Sequence, residues 1–284
     1  MEKALLSPIN DFVFKKVFSE NTAVLEDFLK AVLDLPAEEY RGLTIVDPNL
    51  SREFLEDKQG ILDVKINTAT GKVIAVEVQV RPQKSMWNRM LFYTSKMVVE
   101  QVKSGFQYDK INRAVSILIT DFEMVQENRV YHNRFRLYDE KTGARYPDSL
   151  EINILELPKA HRADGTHLGN WLQFFKARTE EEFMSVSQTS PAINEAWGVI
   201  KVLSGDEQAR AIAEAREKAR MDYDSFLADA RSEGLEEGMG KGIIKVARNL
   251  LQEKAPVELI AKATGLTLEE IRRLADSPPK IVRF

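Results

Sequence analysis

The sequence predicts an α/β fold, a mixed sheet flanked by helices that runs on into an all-helical C-terminal extension. Three observations lead there. Gly60–Asn67 and Lys72–Val80 both alternate with period two and are rich in β-branched residues. Arg113 to Thr120 is a nearly continuous apolar run, as in a strand covered on both faces. From His167 onward the apolar residues recur at helical spacing, as in Leu168, Trp171, Leu172 and Phe175.

Taken in order, Ser7-Pro8 reads as an N-cap with proline in the first turn, followed by Phe14, Val17, Phe18, Val24, Leu25, Phe28, Leu29 and Val32 at helical spacing. This is one helix broken near Ser19 to Thr22, with Thr22 capping its second part. Leu43–Val46 is the first strand, and the charged segment Ser51–Lys58 connects it to the paired strands. Thr68-Ala69-Thr70-Gly71-Lys72 supplies a three-residue hairpin loop with Gly71 in the left-handed position. The register then runs back through Ile66–Ile74 and Val64–Val76, and places Asp63 opposite Glu77. One face is apolar throughout (Leu62, Val64, Ile66, Ile74, Val76, Val78), while the other gathers Asp63, Lys65, Glu77 and Gln79 around Ala75. A helix follows Arg81-Pro82 from near Gln83 to about Ser104, stopped by Gly105. Segments 130–138 and 151–157 complete the strands.

In the C-terminal part, Pro191–Leu203 is a second sheet-covering helix, and Asp206 caps a long charged segment carrying Gly234, Gly238, Gly240 and Gly242. Glycines in a helix cost about 1 kcal/mol each against alanine. The row is therefore either a flexible joint or a stripe for close helix approach. Residues 256–271 read as helix, turn and capped helix, half of a helix-turn-helix, but Glu269 and Glu270 would face phosphate badly. The expected division is 1–165 for the α/β domain, 166–205 for a helical cover and 206–284 for a region that joins two copies into a homodimer or binds a partner.

Composition sets bounds on function. A chain of 284 residues with a formal charge of −4 has no global attraction for nucleic acid, so phosphate binding requires a local basic groove. Cysteine is absent, which excludes disulfides, thiolate metal sites and cysteine nucleophiles. The start lacks a hydrophobic signal region and no apolar run reaches bilayer length, so the expected compartment is the cytoplasm, with no membrane contact. His132 alternates with Asn133 and reads as a polar strand position, while His161 and His167 have no acid pair nearby and read as structural.

Two carboxylates across a hairpin repel unless a cation lies between them. The acid pair thus has two readings, a divalent-metal site using hard oxygen ligands or a solvent-facing strand eased by Lys65. Asp11 and Lys15, four apart, read as a surface ion pair.

Asp63, a turn, then Glu77-Val78-Gln79 resembles the PD-(D/E)xK nuclease core in its (D/E)xQ form. Ser7–Phe18, Ile61–Lys65, Val76–Gln79 and Leu155-Glu156-Leu157-Pro158-Lys159 together resemble the Rpn/PD-(D/E)xK family transposase group of bacterial nucleases, over roughly Ser7 to Lys159. The resemblance implies a restriction-endonuclease-like core that cleaves DNA in recombination or mobile-element biology. It further implies that Asp63 and Glu77 hold a divalent ion, Mg2+ or else Mn2+ or Ca2+, while Gln79 positions water or phosphate. Lys65, Lys15 and Arg89 stabilise charge, Tyr93 is a hydrogen-bonding prop, and Asp11 matches an acid that the first helix brings toward the metal. Gln79 departs from the lysine of most of the superfamily. An amide takes no proton, so water activation would fall to the ion or to Lys65. The alternative is a non-catalytic DNA- or protein-binding regulator that retains the fold.

Overall fold

A computed structural model describes residues 4–47, 63–102, 107–145, 149–161 and 164–276. Gly60 to Leu62, the charged segment 51–58 and Gly105 lie outside the described residues.

The chain opens with α1 (Asp11–Ser19) and α2 (Thr22–Val32), separated at the expected break. Their caps are both asparagines. Asn10 accepts from the Phe12 and Val13 amides and Asn21 from those of Ala23 and Val24, which displaces Ser7 and Thr22 from the capping roles the sequence offered. Asparagine ranks with the best N-caps because its short side chain reaches back to the free amides. Pro8 lies in a turn before the helix, where the Asn10 amide donates to the Ser7 carbonyl at 3.1 Å.

After the short α3 (Ala37–Tyr40) come β1 (Thr44–Val46), β2 (Val64–Asn67) and β3 (Val73–Gln79), then α4 (Met86–Val99), β4 (Ala114–Thr120), β5 (His132–Phe135) and β6 (Leu150–Glu156). They form a six-stranded mixed sheet in the order β1-β2-β3-β4-β6-β5, with β3, β4 and β6 parallel and the others antiparallel to their neighbours. The hairpin register is the one the sequence predicts, Val64 opposite Val76 and Ile66 opposite Ile74. Gly71 has φ +90°, a conformation only glycine adopts cheaply, and a Cβ there would lie 2.8 Å from Asn112 Nδ2. Glu39 of α3 clamps this turn, accepting from Thr68 Oγ1 at 2.6 Å, Thr70 Oγ1 at 2.7 Å and Lys72 Nζ. Burial alone would raise the Glu39 carboxyl, but the bonds from Lys72, Thr68 and Thr70 outweigh it and bring it down to about 2.

Each face of the sheet is covered, so period two alone does not distinguish core from solvent here. Val64, Ile66, Ile74 and Val76 face α1, α2 and the later helices, while Ala75 and Glu77 lie beneath α4. At the C-terminal end of β6, the buried carboxylate of Glu156 accepts from the Val125 amide at 2.9 Å, Asn133 Nδ2 at 3.0 Å and Lys159 Nζ at 2.8 Å. Lys159, equally buried, also donates to the Val125 carbonyl. This pair pins the loop after β4 against β6, so the Leu155–Lys159 block is a structural staple.

The C-terminal helices are α5 (His167–Lys176), α6 (Glu180–Ser187), α7 (Pro191–Gly205), α8 (Glu207–Gln252), α9 (Val257–Thr264) and α10 (Leu268–Asp276). Trp171, Phe174, Phe175, Phe183 and Trp197 join Phe14, Phe18 and Phe28 in one core. Asp27 of α2 ties these helices together, taking bonds from His167 Nε2 at 2.7 Å and Trp171 Nε1 at 3.0 Å. The chain divides into two compact units, Met1–Glu217 and Lys218–Phe284, with the division inside α8. Asp206 caps α8 through the Ala209 amide at 2.7 Å. The helix runs unbroken past Gly234, Gly238, Gly240 and Gly242, and a Cβ at any of them would meet nothing within 4 Å. In the second unit, Ala247 of α8 packs with Ile260 and Ile271, and Thr267 and Glu270 cap α10 reciprocally.

Phe175 contacts the rings of Phe14, Phe18 and Phe28 with centroids 5.6–6.1 Å apart. Phe175→Ala should therefore destabilise the first unit by about 3–5 kcal/mol. Urea unfolding followed by tryptophan fluorescence measures it, and a cost under about 1 kcal/mol would show that these helices do not share the sheet's core.

Candidate active site

The site lies toward the C-terminal end of β3, the side of a parallel sheet where ligands of open α/β folds bind. The odd residues of β3 face α4, so Glu77 is brought under that helix and is only 5% exposed. Its carboxylate accepts no hydrogen bond from the described residues. Its one ion pair among them is with Arg89 of α4, Nη2 to Oε2 at 3.6 Å. Burial therefore dominates and pushes Glu77 up from 4.5 to about 7, with the negative charge of Asp63 adding to it and Arg89 opposing it.

Asp63 stands at the entry to β2, one residue before the ladder begins at Val64 opposite Val76. It does not continue the ladder toward Glu77. Instead its Oδ2 accepts from the Val78 amide at 2.9 Å, and Lys15 Nζ lies 3.7 Å from Oδ1. Burial raises the Asp63 carboxyl, the Val78 amide and Lys15 pull it down, and the charge of Asp11 raises it further. Asp63 thus feels the charge of Asp11 from α1 and acts in turn on Glu77 of β3.

Asp11 and Lys15 do not form the i,i+4 pair their spacing predicts. The helix N-terminus turns Asp11 onto the Phe12 amide at 2.8 Å and toward Arg216 Nη1 at 3.4 Å, which leaves Lys15 for Asp63. Arg89 lies over the Tyr93 ring, its guanidinium carbon 5.2 Å from the centroid. The prop is therefore the ring face rather than a hydrogen bond from the hydroxyl. The buried Arg89 Nε has no acceptor among the described residues.

Lys65 shares the face of Asp63 but is committed elsewhere, its Nζ 2.8 Å from Glu100 Oε2 at the end of α4, with both side chains largely buried. Gln79 is half-buried, and its backbone carbonyl accepts from the Asp121 amide at 3.1 Å. Its side-chain amide makes no hydrogen bond to the described residues. His132 is 2.9 Å from Asn153 Oδ1 and His167 pairs with Asp27, both in structural roles. Sequence reasoning missed Glu100 and Arg216. Each is far along the chain from its partner, and neither has a spacing that marks it.

Among the described residues, no group of three or more His, Asp or Glu side chains could hold a metal ion. The pair Asp63 and Glu77 nevertheless fits a hard cation. Both are carboxylates, and Glu77 is buried with an arginine too distant to hydrogen-bond it. Magnesium-like ions take one or two protein carboxylates and fill the remaining positions with water and substrate oxygens.

No curated protein and no solved structure matches the chain significantly. No helix among the described residues is long and apolar enough to cross a membrane. The family model for the PD-(D/E)XK nuclease family transposase matches residues 8–230, a span that contains the hairpin, both acids, α4 and the first half of α8, and the chain belongs to that family.

Proposed function

We propose that the protein is a divalent-metal-dependent DNA endonuclease that hydrolyses phosphodiester bonds in recombination or mobile-element biology. The observation that carries this reading is the buried Glu77 carboxylate, without a hydrogen bond from the described residues, whose charge is coupled to Asp63, with Arg89 paired to Glu77 and Lys15 to Asp63. A bound ion, Mg2+ or else Mn2+ or Ca2+, would be held by Asp63 and Glu77 and supply Lewis acidity at the phosphate and a more acidic water.

The chain's own residues do the rest. Arg89, stiffened by Tyr93, presents a planar fork suited to a phosphate, and Lys15 supplies a point charge at the opposite acid. Gln79 has both a donor and an acceptor and orients water or a phosphate oxygen without taking a proton. Lys65, held by Glu100, positions the hairpin against α4 in this reading and leaves proton transfer to solvent. Asp11 adds negative charge beside Asp63. The cytoplasm, where DNA and free magnesium meet, is the compartment we propose for it.

The hydrogen bond from the Val78 amide to Asp63 favours a second reading, in which Asp63 is a structural cap in a non-cleaving binding protein. The two separate on mutation. Asp63→Ala and Glu77→Ala should each reduce magnesium-dependent nicking of supercoiled plasmid by more than the roughly 10–100-fold typical of a mutated outer-shell partner, with the far-UV spectrum unchanged. Cleavage retained by either variant removes the assignment.

Glu77 also makes a prediction about pH. Its folded pKa is raised, from 4.5 to about 7, so in chelator the stability it contributes is complete below 4.5 and is lost as pH rises through 7. Glu77→Gln should lack that loss and melt above the wild type at pH 8. An ion at 100 times its Kd should then add about 2.7 kcal/mol to the wild type at pH 8 and almost nothing to Glu77→Gln. Parallel melting curves for the two proteins across this range, with and without magnesium, would mean that Glu77 is neither strained nor a ligand.

A further inference from the structure

We infer that Arg216, near the start of α8, binds a backbone phosphate of the nucleic acid at the rim of the active site. This rests on the nuclease reading, and it carries the substrate-binding surface beyond the sheet domain onto the long helix.

The position of Arg216 is built. Asn10, the cap of α1, also donates its side-chain amide to the Ala213 carbonyl at 3.2 Å. Ala209 and Ala213 are buried at 6% and 3% exposure. Arg210 reaches the Ala4 carbonyl at 2.8 Å, and the Leu6 amide donates to Ser204 Oγ at 3.0 Å. The start of α8 is thus stitched to the segment that leads into Asp11 and Lys15. Arg216 lies in the same compact unit as the sheet, three residues past Ala213, with its guanidinium beside Asp11 at 3.4 Å and its side chain 64% exposed.

At that exposure the pair with Asp11 adds little stability, because water screens it and a long side chain must be ordered to make it. One contact at 3.4 Å leaves most of five guanidinium donors for a ligand. The electrostatics favour such a cation. Asp11 lies where a phosphodiester would approach the acids, and a chain of net charge −4 supplies no general attraction for it. Each acid has its own cation: Lys15 on Asp63, Arg89 on Glu77 and Arg216 on Asp11. Arg216 is the most exposed of the three, which places its phosphate contact at the mouth of the site rather than at the scissile bond.

The test is the salt dependence of DNA binding by the full-length protein, with a fluorescent duplex in calcium and in chelator. Arg216→Gln should weaken binding several-fold near 0.1 M salt and lower the slope of log Kd against log salt by about 1, with an unchanged melting temperature. Arg216→Lys should keep the slope. If Arg216 serves only to neutralise Asp11, the loss in Arg216→Gln disappears when Asp11→Asn is added, and the inference is overturned; a loss that persists in the double variant supports it. An unchanged slope in Arg216→Gln overturns it while leaving the nuclease reading intact. A wild type that binds no duplex under any condition overturns both.

Discussion

The burial of two carboxylates at one end of the sheet is the constraint around which the first unit is arranged. Charged groups are expensive to bury unless paired or coordinated, and among the described residues Glu77 at 5% exposure has only Arg89 at 3.6 Å to offset that cost. The neighbouring elements hold this arrangement from several sides. Glu39 clamps the hairpin turn, the Lys65–Glu100 pair ties β2 to the end of α4, and the helix α4 carries Arg89 and Tyr93 over the acids. In the proposed reading, a carboxyl raised by burial is one that would exchange its proton for a cation.

The acids are held in place by interactions that are individually ordinary. Asn10 caps α1 and donates to Ala213, so one side chain sets both the direction of the helix bearing Asp11 and Lys15 and the seat of the helix bearing Arg216. The aromatic cluster of α1, α2, α5, α6 and α7 backs the opposite face of the sheet. This is why the helices after residue 165 share a core with the strands: without them Phe14, Phe18 and Phe28 would face water, at about 1.5–3 kcal/mol for each large side chain exposed.

Much of the fold was legible because strong local patterns dominate it. The hairpin register follows from Gly71 and from the apolar alternation of Val64, Ile66, Ile74 and Val76, since a slip by one residue would turn that whole face away from the core. The break between the first two helices and the Asp206 cap were equally visible, because turns and caps depend on a few residues of restricted chemistry. The choice of cap was not. Ser7 and Asn10, or Thr22 and Asn21, are chemically near-equivalent, and packing of the helix against the sheet decides which one stands at its end.

The sequence by itself placed Asp63, Glu77 and Gln79 on one face of a hairpin, because period is a local property, while Lys15 and Arg89 became candidates only through the family resemblance. Tertiary structure decided how those groups are used. It ends the ladder at Val64 so that Asp63 meets the Val78 amide, gives Lys65 to Glu100, and separates Asp11 from Lys15 by bringing each a partner from elsewhere. Spacing along one element ranks near neighbours only, whereas an ion pair goes to the opposite charge that packing brings closest. In this protein Glu100 is 35 residues from Lys65, and Arg216 reaches Asp11 from the far side of the sheet domain's sequence.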